Sequence, residues 1–221
     1  MGKIIVLDPG HGANEKNRFA RPLMDCTGRK AICVPDSMIL HPDDGKPNFY
    51  REDFGTLKIA QEVAAELRCE GHTVFLTRND YHNAAIYLSG FSNNDWKKKH
   101  WKSWKWIRDF TDSKNADIFV SIHTNAGGGT GTSAFWASTP NGVDLCKSMT
   151  QELHDQVGLR IRRVAKHRYL ILRNVCEGRT ALLECLFHDN IDDIQLLLSD
   201  YGIKEVAKAV SSGIHKYTQT F

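Results

Sequence analysis

Short apolar runs and stretches with helical spacing alternate along this chain. Residues 3–8, 73–77, 117–123, 132–137, 169–173 and 180–185 are rich in β-branched and aliphatic side chains, several of them apolar at successive positions. Such runs predict strands buried on both faces. Residues 53–70 place Phe54, Leu57, Ala60, Val63, Ala64 and Leu67 on one helical face, with Gly71 as a stop. Residues 141–157 and 203–217 show the same spacing, and 108–114 predicts a short helix. Strands alternating with helices predict an α/β fold: a single domain with a twisted, mostly parallel sheet of about six strands and helices on both faces. Two polar, turn-rich stretches, 12–51 and 81–107, interrupt the alternation and read as insertions.

Composition narrows the class. The 221 residues are 41% hydrophobic and 25% charged, the profile of a globular domain rather than a disordered chain. There is no apolar run long enough for a membrane-spanning helix. The opening Met1-Gly2-Lys3-Ile4-Ile5-Val6-Leu7-Asp8 has too short an apolar stretch for a signal peptide, so synthesis and folding in a cytoplasm are expected. A net charge of +3 falls short of a nucleic-acid-binding composition. The six cysteines contain no C-x-x-C pair, and reduced, mostly buried thiols are expected.

In parallel sheets, ligands and catalytic groups gather at the carboxyl ends of the strands. Three strands end suggestively here. Asp8-Pro9-Gly10-His11-Gly12 places His11 in a Gly-flanked turn, Ser121-Ile122-His123-Thr124-Asn125 places His123 at a strand end, and Glu184 interrupts the apolar run of the last strand. Glu52 stands where the long helix begins. Two imidazoles and a carboxylate form the three-ligand set that catalytic zinc uses, and a further carboxylate can handle the proton of a bound water. Each residue has a plainer reading: His11 bonded to turn backbone, His123 a satisfied sheet residue, Glu52 a favourable charge at a helix N-terminus. Glu184 is harder to dismiss, because an uncompensated buried carboxylate is costly.

These residues resemble the zinc-dependent N-acetylmuramoyl-L-alanine amidases of the type 3 amidase family. The likeness rests on the motifs above together with Thr77-Arg78-Asn79-Asp80, Ala116-Asp117-Ile118-Phe119-Val120, Tyr169-Leu170-Ile171-Leu172-Arg173, Leu183-Glu184-Cys185-Leu186-Phe187-His188-Asp189-Asn190 and Gly213-Ile214-His215-Lys216-Tyr217, in family order over nearly the whole chain. It implies zinc as cofactor, held by His11, Glu52 and His123, with Glu184 as catalytic acid/base. Asp8 and Asn125 become candidates for orienting a ligand or touching substrate. The implied reaction is hydrolysis of the amide between N-acetylmuramic acid and L-alanine of peptidoglycan. The implied setting is a bacteriophage endolysin, made in the host cytoplasm and acting on the wall after membrane permeabilisation. Alternatives are a zinc peptidase acting on the stem peptide and a non-catalytic wall-binding protein. The chain departs from the family at Leu186 and Arg163, where Gly is usual, and at Thr56, where Asn is usual; substrate-groove shape is the property these departures affect.

The insertions raise separate expectations. The segment 96–106 interleaves Trp96, Trp101, Trp104 and Trp106 with lysines. It reads either as a helix whose Trp side chains pack on the domain or as a weak contact with cell wall or an anionic membrane surface. The 12–51 stretch reads as a covering loop over the metal site, and Cys26, Cys33 and His41 within it lack standard ligand spacing for a second metal. A monomer without nucleic-acid or separate wall-binding modules is expected.

Overall fold

The computed structural model describes residues 2–11, 20–22, 49–79, 96–137, 140–173 and 175–221. In chain order the elements are β1 (Ile4–Pro9), β2 (Ala20–Pro22), β3 (Phe49–Arg51), α1 (Glu52–Cys69), β4 (Thr73–Leu76), α2 (Trp96–Ser113), β5 (Ile118–Asn125), β6 (Thr132–Trp136), α3 (Pro140–Val157), β7 (Ile161–Lys166), β8 (Thr180–Phe187), α4 (Ile191–Leu198) and α5 (Asp200–Thr218). Six strands form one sheet in the order β4-β1-β5-β8-β6-β7, and β2 pairs with β3 in a separate antiparallel ribbon. All pairings in the main sheet are parallel except β6 with β8.

The period-two alternation of strands sorts side chains onto two faces. Ile5, Leu7, Ile118, Val120, Ile122, Ala181 and Leu183 pack with α1, α3, α4 and α5 in the larger core cluster. Their neighbours Val6, Phe119, Leu182 and Phe135 face α2, where Ile107 and the partly buried Trp106 and Phe110 meet them. The same parity puts Asp8, Ser121, His123 and Glu184 on the α2 side, at the carboxyl ends of β1, β5 and β8. A catalytic face therefore follows from strand alternation alone.

Four sequence expectations change. Residues 169–173 are not a strand: Leu170–Leu172 is a single 3-10 turn whose Leu172 plugs the α2-side core. The strand in this region is β7, whose Ile-Arg-Arg-Val-Ala-Lys sequence is half polar because it lies at the sheet edge. The short helix expected at 108–114 is the end of α2, which begins at Trp96 and runs through part of the segment read as an insertion. Helix α4 was not expected from the sequence; Asn190 caps it by accepting from the Asp192 and Asp193 amides. Among the described cysteines, Cys146 and Cys185 are buried as expected, whereas Cys69 is exposed and Cys176 half-buried. Cys26, Cys33 and His41 lie outside the described residues, as does the 12–51 stretch apart from 20–22 and 49–51.

At the amino ends of the strands, a histidine pair ties the chain together. The Lys3 amide donates to His72 Nδ1 at 3.0 Å, which places the His72 proton on Nε2, facing His215 Nδ1 at 3.0 Å. His215 Nε2 in turn lies 3.8 Å from Glu70. Burial and the neighbouring His215 lower the His72 pKa below 6.5, with Glu70 opposing and Lys3 adding to the shift. The unfolded chain then takes up more protons than the folded one near pH 6.5, so stability falls as pH drops through that value. The melting temperature is expected to decline between pH 7.5 and 5.5, and His72→Gln, which keeps an acceptor and a donor, should flatten that decline. An equally steep decline in the variant would remove His72 from the account.

Candidate metal centre and active site

The turn after β1 and the first residue of α1 bring His11 and Glu52 against His123. Glu52 bridges the two imidazoles: Oε2 lies 3.4 Å from His11 Nε2, and Oε1 lies 3.3 Å from His123 Nδ1. One donor atom from each residue falls within 4.8 Å of the others, and no other such group of three occurs among the described residues. The rings of His11 and His123 stand edge-to-face, with centroids 4.9 Å apart.

Charge-assisted hydrogen bonds close to about 2.7–2.9 Å, and these pairs are longer. Two ligands each 2.0–2.1 Å from a tetrahedral zinc are about 3.4 Å apart, close to each Glu52–His separation, while the full set with one donor atom per residue spreads to within 4.8 Å. Two imidazoles and one carboxylate are also the donor types of a catalytic zinc site, so the residues fit the ion.

The surrounding backbone is arranged for this convergence. His11 takes a left-handed conformation, φ 64°, rare outside glycine and concentrated at functional sites. Gly10 is needed beside it: a Cβ there would sit 2.4 Å from the His123 ring. Glu52 is 5% exposed, and its Oε1 also accepts from the Thr124 amide at 3.0 Å. Burial opposes its ionisation, but the charge and hydrogen bonding of His11, then of His123, outweigh this and hold its carboxyl well below the usual carboxylate range. The ligand carboxylate is thus kept ionised. Thr124 also pairs through its hydroxyl with His188 Nδ1 at 2.9 Å, and His188 stacks on Tyr50.

Glu184 faces this group from the next strand, in register with His123. Its Oε2 is buried and has no hydrogen-bond partner among the described residues. Burial raises its pKa, with His123 opposing and Glu52 adding to the rise. A cleft of about 300 Å³ opens over Glu184, His11 and His123, walled by Trp104 and Ile107 of α2 and by Tyr169, Leu170 and Ile171 of the 3-10 turn.

The other sequence candidates fall in different places. Asp8 lines the cleft, but its carboxylate is taken up by Thr77 Oγ1 at 2.6 Å and Ser121 Oγ at 2.7 Å, which cross-link three strand ends. Asn125 turns its side-chain oxygen to the Ala126 amide at 2.8 Å, next to a register shift in β5, and is not brought to the ligand group. Trp104 stands in the cleft wall rather than on an outer face; the side chains of Trp96 and Trp101 lie outside the described residues.

Arg78 is the residue whose role residue types alone do not reveal. It is 3% exposed and donates to the carbonyls of Pro9 at 3.1 Å, Gly10 at 3.0 Å and Asp53 at 2.7 Å. One guanidinium therefore clamps the His11 turn to the start of the Glu52 helix. Thr56 reinforces the clamp by donating to the Gly10 carbonyl at 2.8 Å.

Comparison with known proteins is consistent with this geometry. Residues 5–216 match the family model described as N-acetylmuramoyl-L-alanine amidase. The N-acetylmuramoyl-L-alanine amidase CwlM of Bacillus licheniformis is 30% identical over 141 residues, covering 62% of this chain and 52% of that protein. The chain thus spans about half the length of that curated relative. Among solved structures, the CwlD amidase of Clostridioides difficile, in complex with the GerS lipoprotein, superposes with a TM-score of 0.76 at 23% identity over 100% of both chains. An N-acetylmuramoyl-L-alanine amidase of Clostridium difficile 630 gives 0.70 at 19% identity, covering 99% of this chain and 98% of that one. These two share the fold. With a family model matched across almost its entire length, the chain belongs to the N-acetylmuramoyl-L-alanine amidase family.

Proposed function

We propose that this protein is a zinc-dependent hydrolase of the amide joining N-acetylmuramic acid to L-alanine in peptidoglycan. The observation that carries this reading is the convergence of His11, Glu52 and His123 beside a buried Glu184 oxygen that has no partner among the described residues. Zinc held by those three residues would supply Lewis acidity and bring the pKa of a bound water near 7. Glu184 takes the proton of the attacking water and delivers it to the departing alanine nitrogen, so the C–N bond breaks to leave a muramoyl carboxylic acid and a free peptide amine. Its raised pKa suits both halves of that transfer, because the group must accept and then release a proton. The apolar wall of Trp104, Ile107, Leu170 and Ile171 supports the substrate's non-reacting parts and excludes bulk water from the proton transfer. The physiological setting we propose is lytic, in the manner of a phage endolysin, acting from the cytoplasmic side once the membrane is permeabilised.

Purified muropeptide incubated with the protein is expected to yield the intact stem peptide beginning at L-alanine, identified by mass spectrometry. Chelation should abolish the product and added zinc restore it. Cleavage within the peptide, or between sugars, would overturn the reading. Turbidity loss of membrane-permeabilised cells, absent from intact ones, tests the lytic setting.

A further inference from the structure

Asp8, Glu184 and Arg78 line the cleft beside His11 and His123, and the sheet face that carries Glu184 continues past the cleft to a basic edge strand. From Arg160 to Arg173 the chain carries six Lys or Arg and no acidic residue, in a protein whose net charge is only +3. Three of the six, Arg162, Arg163 and Lys166, are exposed on the edge strand β7, for which solubility and protection against edge pairing are sufficient reasons. Arg163 differs from its neighbours by position. Ser133 on β6 pairs with Glu184 on one side and with Arg163 on the other, so Arg163 lies on the same sheet face as Glu184. Two strand spacings put its backbone about 10 Å from that of Glu184. Its guanidinium lies 5.9 Å from the Phe135 ring, and Phe135 packs edge-on against Tyr169, with centroids 5.7 Å apart. Tyr169 lines the cleft. Burial, then Glu184, raises the pKa of the Tyr169 hydroxyl while Arg163 opposes, so both charges act on one phenol. Arg162, by contrast, crosses to Phe187 on the opposite side. Of the family departures, Leu186 is buried in the far core and Thr56 beneath the Gly10 carbonyl, which leaves Arg163 as the one exposed on the sheet face that carries Glu184.

Arg163 is exposed and forms no ion pair with any described carboxylate. A cation beside a cleft, near an aromatic ring and without a carboxylate partner among the described residues, is suited to an anionic group of the substrate. Two extended residues of a stem peptide reach about 7 Å from the scissile amide. A long arginine side chain reaching back from about 10 Å meets a carboxylate there. We propose that Arg163 binds the free α-carboxylate of the residue that follows alanine, so that the protein prefers stem peptides carrying isoglutamate over those amidated to isoglutamine. The proposal rests on the amidase reading above and adds to it a determinant of substrate choice.

The test compares N-acetylmuramoyl-L-alanyl-D-isoglutamate with its isoglutamine counterpart. Wild type is expected to favour the acid about tenfold in kcat/KM, the size of one hydrogen-bonded charge pair. Arg163→Gln should bring the ratio to about one, chiefly by raising KM for the acid, whereas Arg163→Lys keeps part of the preference. Calorimetric binding of both compounds to Glu184→Gln, with and without Arg163→Gln, reads the same preference with no turnover. It therefore separates a failure of this proposal from a failure of the amidase reading. Equal affinity for acid and amide, no binding of either, or an Arg163→Gln effect of the same size on both, would overturn the assignment.

Discussion

Glu184→Gln is expected to bind one zinc with wild-type affinity and to lose about 10³-fold in kcat. The two halves of this expectation come from different atoms. His11, Glu52 and His123 form the donor group without Glu184, so an isosteric amide at 184 leaves the proposed coordination intact. What it removes is a proton acceptor that lines the cleft and whose buried Oε2 has no partner among the described residues. Burial disfavours the charged form of Glu184, so the neutral amide should leave the melting temperature unchanged or raise it by a few degrees, the usual price of activity in a desolvated site. Zinc stoichiometry by competition with a chromogenic chelator, kcat on a defined muropeptide and thermal melting give three independent readouts. Turnover within tenfold of wild type would remove Glu184 from the mechanism; loss of zinc would make it part of the metal site instead.

The sequence made the site more legible than the edges of the fold. Glu184 stood out because a charge inside an apolar run requires a reason, and His11 and His123 because glycine and strand ends placed them where ligands gather. Strands β1, β5 and β8 are central, and burial on both faces gives them unbroken apolar runs. Strand β7 is an edge with cationic side chains on both sides, so its period is weak. The nearby Tyr169-Leu170-Ile171-Leu172-Arg173 was the more apolar of the two, yet it forms a 3-10 turn that inserts Leu172 into the core, a choice that short apolar runs do not reveal. Helix α2 was half legible for a related reason: Trp and Lys alternate so closely that only its apolar second half carries a helical stripe. The contacts of Thr124 and Arg78 were least legible: Arg78 binds backbone carbonyls distant in sequence, Thr124 meets Glu52 through its own backbone amide, and main-chain groups leave no residue signature.

Arg78→Met should therefore be the most damaging substitution outside the donor group, costing about 3–5 kcal/mol of stability. Methionine replaces the aliphatic stem, so the loss falls on hydrogen bonds rather than on packing volume. Three carbonyls, those of Pro9, Gly10 and Asp53, lose a charged donor inside the protein; hydrogen bonds to a charged group contribute about 1.5–3 kcal/mol each, and the Thr56 hydroxyl, which donates to Gly10 and Asp53, offsets part of the loss. For a chain of this length that corresponds to a fall in melting temperature of about 10 °C. The same carbonyls fix the turn that holds His11 at φ 64° and the helix start that presents Glu52. Without the clamp, the Thr56 hydroxyl and the ligands themselves still join these two segments. Zinc affinity should fall about 10–100-fold, the usual consequence of loosening a residue that orients ligands. Saturating zinc should then restore part of the lost melting temperature, because binding to the folded state stabilises it by mass action. Arg78→Lys, which keeps the charge but not the planar fork, is expected to fall between wild type and Arg78→Met in both measurements. A stable Arg78→Met protein with wild-type zinc affinity would show that the turn and helix hold the ligands without the clamp. A destabilised one whose zinc affinity is unchanged would confine Arg78 to folding.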